Sequence, residues 1–134
     1  MFVVDASIVL SLILPDESNL RSAMLIERIK TEGAIAPSFL ILELSNSLVS
    51  AFKQKRMTKE DIAECIHLFH QLSIQLVDIR EFLALELITV SALDHNLNSY
   101  DTTYLDLAIA KNVRLATLDT TLIAAAERVG IKVI

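Results

Sequence analysis

Four carboxylates stand where an α/β domain gathers its functional groups. Asp5 closes the apolar run Phe2-Val3-Val4-Asp5, and Glu43 is the only acid between Glu32 and Glu60. Asp101 lies in Ser99-Tyr100-Asp101-Thr102-Thr103-Tyr104-Leu105, and Asp119 closes Val113-Arg114-Leu115-Ala116-Thr117-Leu118-Asp119. Acids this far apart in sequence have no local reason to meet. If they do meet, their mutual repulsion calls for cations, and oxygen-ligated divalent metal answers that need.

Each acid also has a plainer reading. Asp5, Asp101 and Asp119 each stand just ahead of a helical pattern and could serve as N-caps. A cap at the right sheet edge also points into a site, so the two roles are compatible. Ser7 could add a hydroxyl beside Asp5, and Thr117, two residues before Asp119 on a strand, points to the same side. Glu43 shares one helical face with Asn46, Ser47 and Ser50, while Leu40, Ile41, Leu44, Leu48, Val49 and Phe52 fill most of the rest. That pattern predicts a helix buried except for one polar stripe. Glu43 then either touches water or lines a polar cavity, with Asn46 as a supporting donor. Asp106 is read as an outer-face residue. His67 and His70 read as rim histidines, and His95 precedes the loop to Asp101. Tyr100 and Tyr104 read as packing residues, with stacking on a base as the alternative.

The elements that must position these groups follow from hydrophobic periodicity. Strands are expected at 2–5, 34–36, 74–79, 113–118 and 131–134. Helices are expected at 6–14, 17–32, 38–54, from Thr58 to about residue 72, and at 82–95, 101–111 and 120–129. Thr58-Lys59-Glu60-Asp61 reads as a capping box. Gly33 and Gly130 sit where helices should stop. Strands alternating with helices imply a mainly parallel sheet covered on both faces. Ligand sites in such sheets lie beyond the carboxyl ends of the strands, near a switch in strand order. Asp5 and Asp119 fall at that edge.

Composition bounds the rest. The chain has 134 residues, 53% hydrophobic and 22% charged, which fits one packed domain over residues 1–134. Cys65 is the only cysteine, so no intrachain disulfide or cysteine-based zinc site can form. A reducing, cytoplasmic setting is expected. The apolar start lacks a basic n-region and is interrupted by Asp5, which argues against a signal peptide. No apolar run reaches the roughly 18 residues of a membrane span. The net charge of −5 argues against a general nucleic-acid binder. A local basic cluster, Lys53, Lys55, Arg56 and Lys59, stands against that balance; its plain reading is a solvated helix end and turn. No Gly-rich phosphate cradle follows any strand, and no nucleophile elbow is visible.

With these residues in place, the chain resembles the PIN-domain family, most closely its VapC-type toxins. The resemblance is carried by Val3-Val4-Asp5-Ala6-Ser7, by Glu43-Leu44-Ser45-Asn46-Ser47-Leu48, by Tyr100-Asp101-Thr102-Thr103-Tyr104-Leu105, and by Ala116-Thr117-Leu118-Asp119 with Leu122 and Ala126 following. It implies a five-stranded parallel sheet in a three-layer α/β/α sandwich. It implies an endoribonuclease dependent on Mg2+ or Mn2+, with Asp5, Glu43, Asp101 and Asp119 as the acidic site and Ser7, Asn46 and Thr117 in support. It also implies homodimers and a small antitoxin whose tail occupies the active-site groove. Phosphodiester hydrolysis needs an activated water, a neutralised phosphate and a stabilised leaving oxygen, all within reach of oxygen-ligated divalent ions. Two other readings stay open: a PIN-domain protein of RNA processing or RNA binding without a toxin role, and a metal-dependent phosphatase on small substrates.

Overall fold

The structure is a computed structural model that describes residues 1–15, 20–80 and 84–134. The opening apolar run forms β1 (Phe2–Val4), with every residue buried, as a central parallel strand requires. Asp5 ends it and starts α1 (Ala6–Ile13). Next come α2 (Leu20–Glu32), β2 (Ala34–Pro37), α3 (Leu40–Lys53), α4 (Lys59–Leu72) and β3 (Gln75–Val77). The chain continues through α5 (Leu85–His95), α6 (Ser99–Lys111), β4 (Arg114–Ala116) and α7 (Thr120–Arg128). The expected starts of α2 at residue 17 and of α5 at residue 82 lie outside the described residues.

The sheet is parallel, with order β3-β2-β1-β4. Phe2, Val3 and Val4 pair with Arg114, Leu115 and Ala116, and Phe2 and Val3 pair with Ala34 and Ile35. The chain steps outward from β1 to β2 to β3 and then returns to the other side of β1. The order therefore switches between β1 and β4. Helix α6 lies against β1, β2 and β4 and is flanked by α5 and α7, while α1 packs with α2, α3 and α4. The α/β class and the parallel sheet are as the alternation of patterns predicts.

The fifth strand is a correction. Residues 131–134 meet the sheet through one parallel bridge, Leu115 with Val133, held by Leu115 N to Lys132 O at 3.0 Å and Ile134 N to Leu115 O at 2.9 Å. Gly130, at φ 78°, turns the chain out of α7, and of residues 131–134 only Val133 comes into register with β4, so no ladder forms there. The sheet among the described residues has four strands.

Helix α3 also departs from expectation. It buries only Leu40, Leu44, Leu48 and Ala51, and it exposes Ile41, Leu42, Val49 and Phe52. Its apolar surface is wider than the strip its neighbours cover. At Thr58 the capping box forms as expected, with Asp61 N bonded to Thr58 Oγ1 at 3.1 Å and Thr58 N to Asp61 Oδ2 at 2.8 Å.

Candidate active site

Asp5 is buried and fully engaged by its surroundings. As N-cap of α1 its Oδ1 accepts from Ile8 N at 3.0 Å, and the Ser7 hydroxyl donates to the same oxygen at 2.6 Å. Oδ2 accepts from the Thr117 hydroxyl at 2.5 Å. Both hydroxyls pass the connection on. Ser7 Oγ accepts from Leu118 N at 2.9 Å, and Thr117 Oγ1 accepts from Asp119 N at 3.0 Å. A carboxylate has about four lone-pair positions, so Asp5 keeps one on Oδ2. The β1–α1 and β4–α7 junctions are thus joined across the switch point, and Asp5 N bonded to Ala116 O at 3.2 Å extends the backbone ladder between them.

Asp119 is the N-cap of α7, where its Oδ1 accepts from Leu122 N at 2.9 Å and its Oδ2 has no donor among the described residues. The cap readings of Asp5 and Asp119 therefore hold alongside their place at the sheet edge. Asp101 is not a cap. Helix α6 begins two residues earlier, and its N-cap is Asn98, whose Oδ1 accepts from Asp101 N at 2.8 Å and whose Nδ2 donates to Asp101 Oδ2 at 2.8 Å. Asp101 Oδ1 is left without a donor among the described residues.

Glu43 lies in the first turn of α3, half-buried, and its Oε2 accepts from the Tyr104 hydroxyl at 2.5 Å. Tyr104 is 1% exposed, and its ring meets Phe39 edge-on at 5.4 Å. Sequence reasoning read Tyr104 as packing and gave the supporting role to Asn46. Asn46 instead points to solvent, with no hydrogen bond to Glu43. The missed signal was spacing: Asp101 and Tyr104 are three apart on α6 and share a face.

The electrostatics tie these groups together. Burial raises the Asp5 carboxyl above its ordinary value, the Ser7, Thr117 and Ile8 hydrogen bonds offset part of that, and the Asp119 charge raises it further. Burial raises Glu43 against the Tyr104 bond, with Asp101 and Asp5 adding to the rise. Burial raises Asp101 as well, reinforced by Asp119 and Asp5 and eased by Asn98. The same burial and the facing carboxylates raise the Tyr104 phenol, which stays a donor. Asp5, Glu43 and Asp101 thus each feel the charge of another acid of the group, and none of the four carboxylates is in an ion pair among the described residues. They do not form a closed cage: no three His, Cys, Asp or Glu side chains among the described residues converge on one point. The donor set nevertheless suits a hard divalent cation. All donors are carboxylate oxygens, and each of the four keeps an oxygen or lone pair free to turn toward one.

The remaining candidates lie elsewhere. Asp106 is not on the outer face; Ser91 Oγ of α5 donates to its Oδ1 at 3.0 Å. His95 acts on Asp106 and offers its carbonyl to Arg128. His67 and His70 are exposed. Among the described residues, no helix is long and apolar enough to cross a membrane.

Comparison with known proteins adds the family. A protein-family model described as "PIN domain" matches residues 2–134. Among solved structures, PAE2754 from Pyrobaculum aerophilum superposes with a TM-score of 0.71 and 21% identity, covering 98% of this chain and 89% of that one. At that identity the likeness concerns the fold. A comparison with curated proteins gave no match.

Proposed function

The chain belongs to the PIN-domain family, and on that premise we propose that it is a divalent-metal-dependent endoribonuclease whose acidic site is Asp5, Glu43, Asp101 and Asp119. PIN domains are generally nucleases that use divalent metal. One observation carries the assignment to these residues. Carboxylates from four separate segments lie close enough at the carboxyl edge of the sheet, where the strand order switches, for Asp5, Glu43 and Asp101 each to feel another's charge, with no cation paired to any of the four among the described residues.

The residues have distinct work. Asp5 is fixed by three donors and is the rigid reference point. Ser7 and Thr117 hold Asp5 and, through Leu118 N and Asp119 N, set the approach of Asp119. Asn98 orients Asp101, and Tyr104 orients Glu43. Asp5, Asp101 and Asp119 would be the direct ligands, and Glu43 would ligate or hold a water. Bound Mg2+ or Mn2+ would neutralise the scissile phosphate and lower the pKa of an attacking water. Among the described residues Glu43 keeps Oε1 free while Tyr104 holds Oε2, so it is placed to hold a water or accept its proton.

The motifs shared with VapC-type toxins extend the proposal: a toxin held silent by a small antitoxin, acting in the cytoplasm as a homodimer. The test is cleavage of an RNA pool by the purified protein with Mg2+ or Mn2+ and with chelator, beside Asp119→Asn. Discrete cleavage that needs both metal and Asp119 is expected. A folded protein that binds metal and cleaves no RNA would overturn the endoribonuclease reading. Growth arrest on expression, relieved by Asp101→Asn, is expected of a toxin, and unimpaired growth with active nuclease would refute that role.

A further inference from the structure

We infer that the α3–α4 turn is a second contact site for single-stranded RNA, which holds the phosphate backbone on Lys53, Lys55, Arg56 and Lys59 and stacks a base on Phe52. The inference rests on the endoribonuclease reading and specifies its substrate as a strand long enough to reach both ends of α3.

These four cations fall within seven positions, out of the 12 lysines and arginines of the chain, and all are exposed. None is in an ion pair among the described residues, whereas Arg28, Arg80 and Arg114 are each paired with an acid. Two acids, Glu60 and Asp61, share the lining with these four cations; Asp61 is turned back onto Thr58 N by the capping box, and neither acid is in an ion pair with them among the described residues. Lys55 takes a left-handed backbone, φ 58°, at the bend between the helices. The cations border an open cavity of about 590 Å³ whose lining includes Phe52 and Met57. Phe52 is 42% exposed, so its ring face is available. A basic groove with an aromatic platform is how sequence-tolerant single-strand binders work, since the cations track phosphates and the ring accepts any base.

Helix α3 connects this cavity to the acidic site. Glu43 and Lys53 are ten residues apart on one helix, about 15 Å at 1.5 Å per residue. Ser47, Ser50 and Gln54 follow Glu43 at i+4, i+7 and i+11, one helical face, and all three are uncharged hydrogen-bonding side chains. That polar track offers donors to phosphate without holding it. At about 3.4 Å per nucleotide of a stacked strand, it spans roughly four nucleotides.

The test compares two variants of equal net charge. One removes the cluster (K53Q, K55N, R56Q, K59Q). The other removes four exposed cations elsewhere (R21Q, K30Q, K111Q, K132Q). Binding of a single-stranded RNA of about 20 nucleotides is measured by fluorescence anisotropy against salt, with Asp119→Asn in every protein so that the RNA stays intact. At about 0.7 of salt slope per phosphate contact on single strands, the cluster variant should lower the slope by about 3, and the control variant should leave it unchanged. F52L should weaken binding about tenfold or more with the slope kept. Equal losses in the two charge variants, or no loss in either, overturn the subsite. Tighter binding of an acidic peptide than of RNA at the same cluster also overturns it.

Cleavage by the protein with Asp119 intact separates the two ideas. If it cuts RNA with metal and the cluster variant has the same KM, the subsite falls and the nuclease stands. If RNA binding depends on the cluster but nothing is cut, the subsite stands and the nuclease falls. If RNA is neither bound nor cut, both fall.

Discussion

The Tyr104 hydroxyl donates to Glu43 Oε2 at 2.5 Å, joining α6 to α3 across 61 positions of sequence. Tyr104→Phe removes this one hydroxyl and keeps the ring against Phe39. Losing a hydrogen bond to a half-buried carboxylate should cost about 1–2 kcal/mol of stability at pH 7. Glu43 also loses a bond that holds its pKa down, so its carboxyl should rise further. Metal-dependent cleavage should fall by about tenfold or more, an effect typical of lost support behind a ligand. Unchanged activity in a stably folded Tyr104→Phe protein would show that Glu43 needs no tether.

Thr117 serves two partners, donating to Asp5 and accepting from Asp119 N. Thr117→Val has nearly the same shape and leaves both unsatisfied. Urea unfolding should show a loss of about 2 kcal/mol. A loss below about 0.5 kcal/mol, the range of ordinary surface changes, would mean that water replaces the hydroxyl.

The raised pKa values of Asp5, Glu43 and Asp101 set a sign for stability against pH. The folded state holds these protons more tightly than the unfolded chain. Their contribution is therefore most favourable at low pH and is lost as pH rises from the ordinary carboxylate range through the raised values. In chelator, Asp101→Asn or Glu43→Gln should raise Tm at pH 7 by about 3–5 °C, the scale of 1 kcal/mol for a chain of this size. The gain should vanish near pH 3, where the native carboxyls are neutral. Mg2+ or Mn2+ should raise the Tm of the native sequence at pH 7 and raise that of either variant less. An equal gain at both pH values would rule out relief of repulsion as the cause.

Cys65 is buried, with its thiol against the Ile13 carbonyl at 3.2 Å, and burial pushes its pKa up. Thiolate is the reactive form. Alkylation at pH 8 should be slower than in denaturant by about 100-fold or more. Rapid modification of the native protein would show that α4 opens away from α1.

Much of this architecture is written in local pattern. Alternating strands and helices give the parallel sheet, and the last residues of β1 and β4 then place Asp5 and Asp119 at its carboxyl edge without reference to any neighbour. What periodicity cannot supply is which side of an element meets another. The apolar pattern of α3 predicts burial on its Ile41, Val49 and Phe52 side, and that side is exposed. The wheel position of Asp106 predicts an outer face, yet its carboxylate meets Ser91 of α5. Local competition also misled. Asp101 resembles a cap, but Asn98 stands three residues earlier at capping-box spacing and takes the role. The run Ile131-Lys132-Val133-Ile134 alternates like a strand, yet pairing needs a partner in register, and only Val133 finds one.

The bond from Thr117 to Asp5 bridges 112 positions, and that from Leu118 N to Ser7 bridges 111. A ribosome adding roughly 5–20 residues per second needs about 6–22 s between those two ends of the bond. Until β4 has been made and has docked beside β1, the acids already synthesised are scattered along a chain that holds no common site. The acidic site is thus withheld during translation by connectivity alone, because its last carboxylate, Asp119, lies beyond β4.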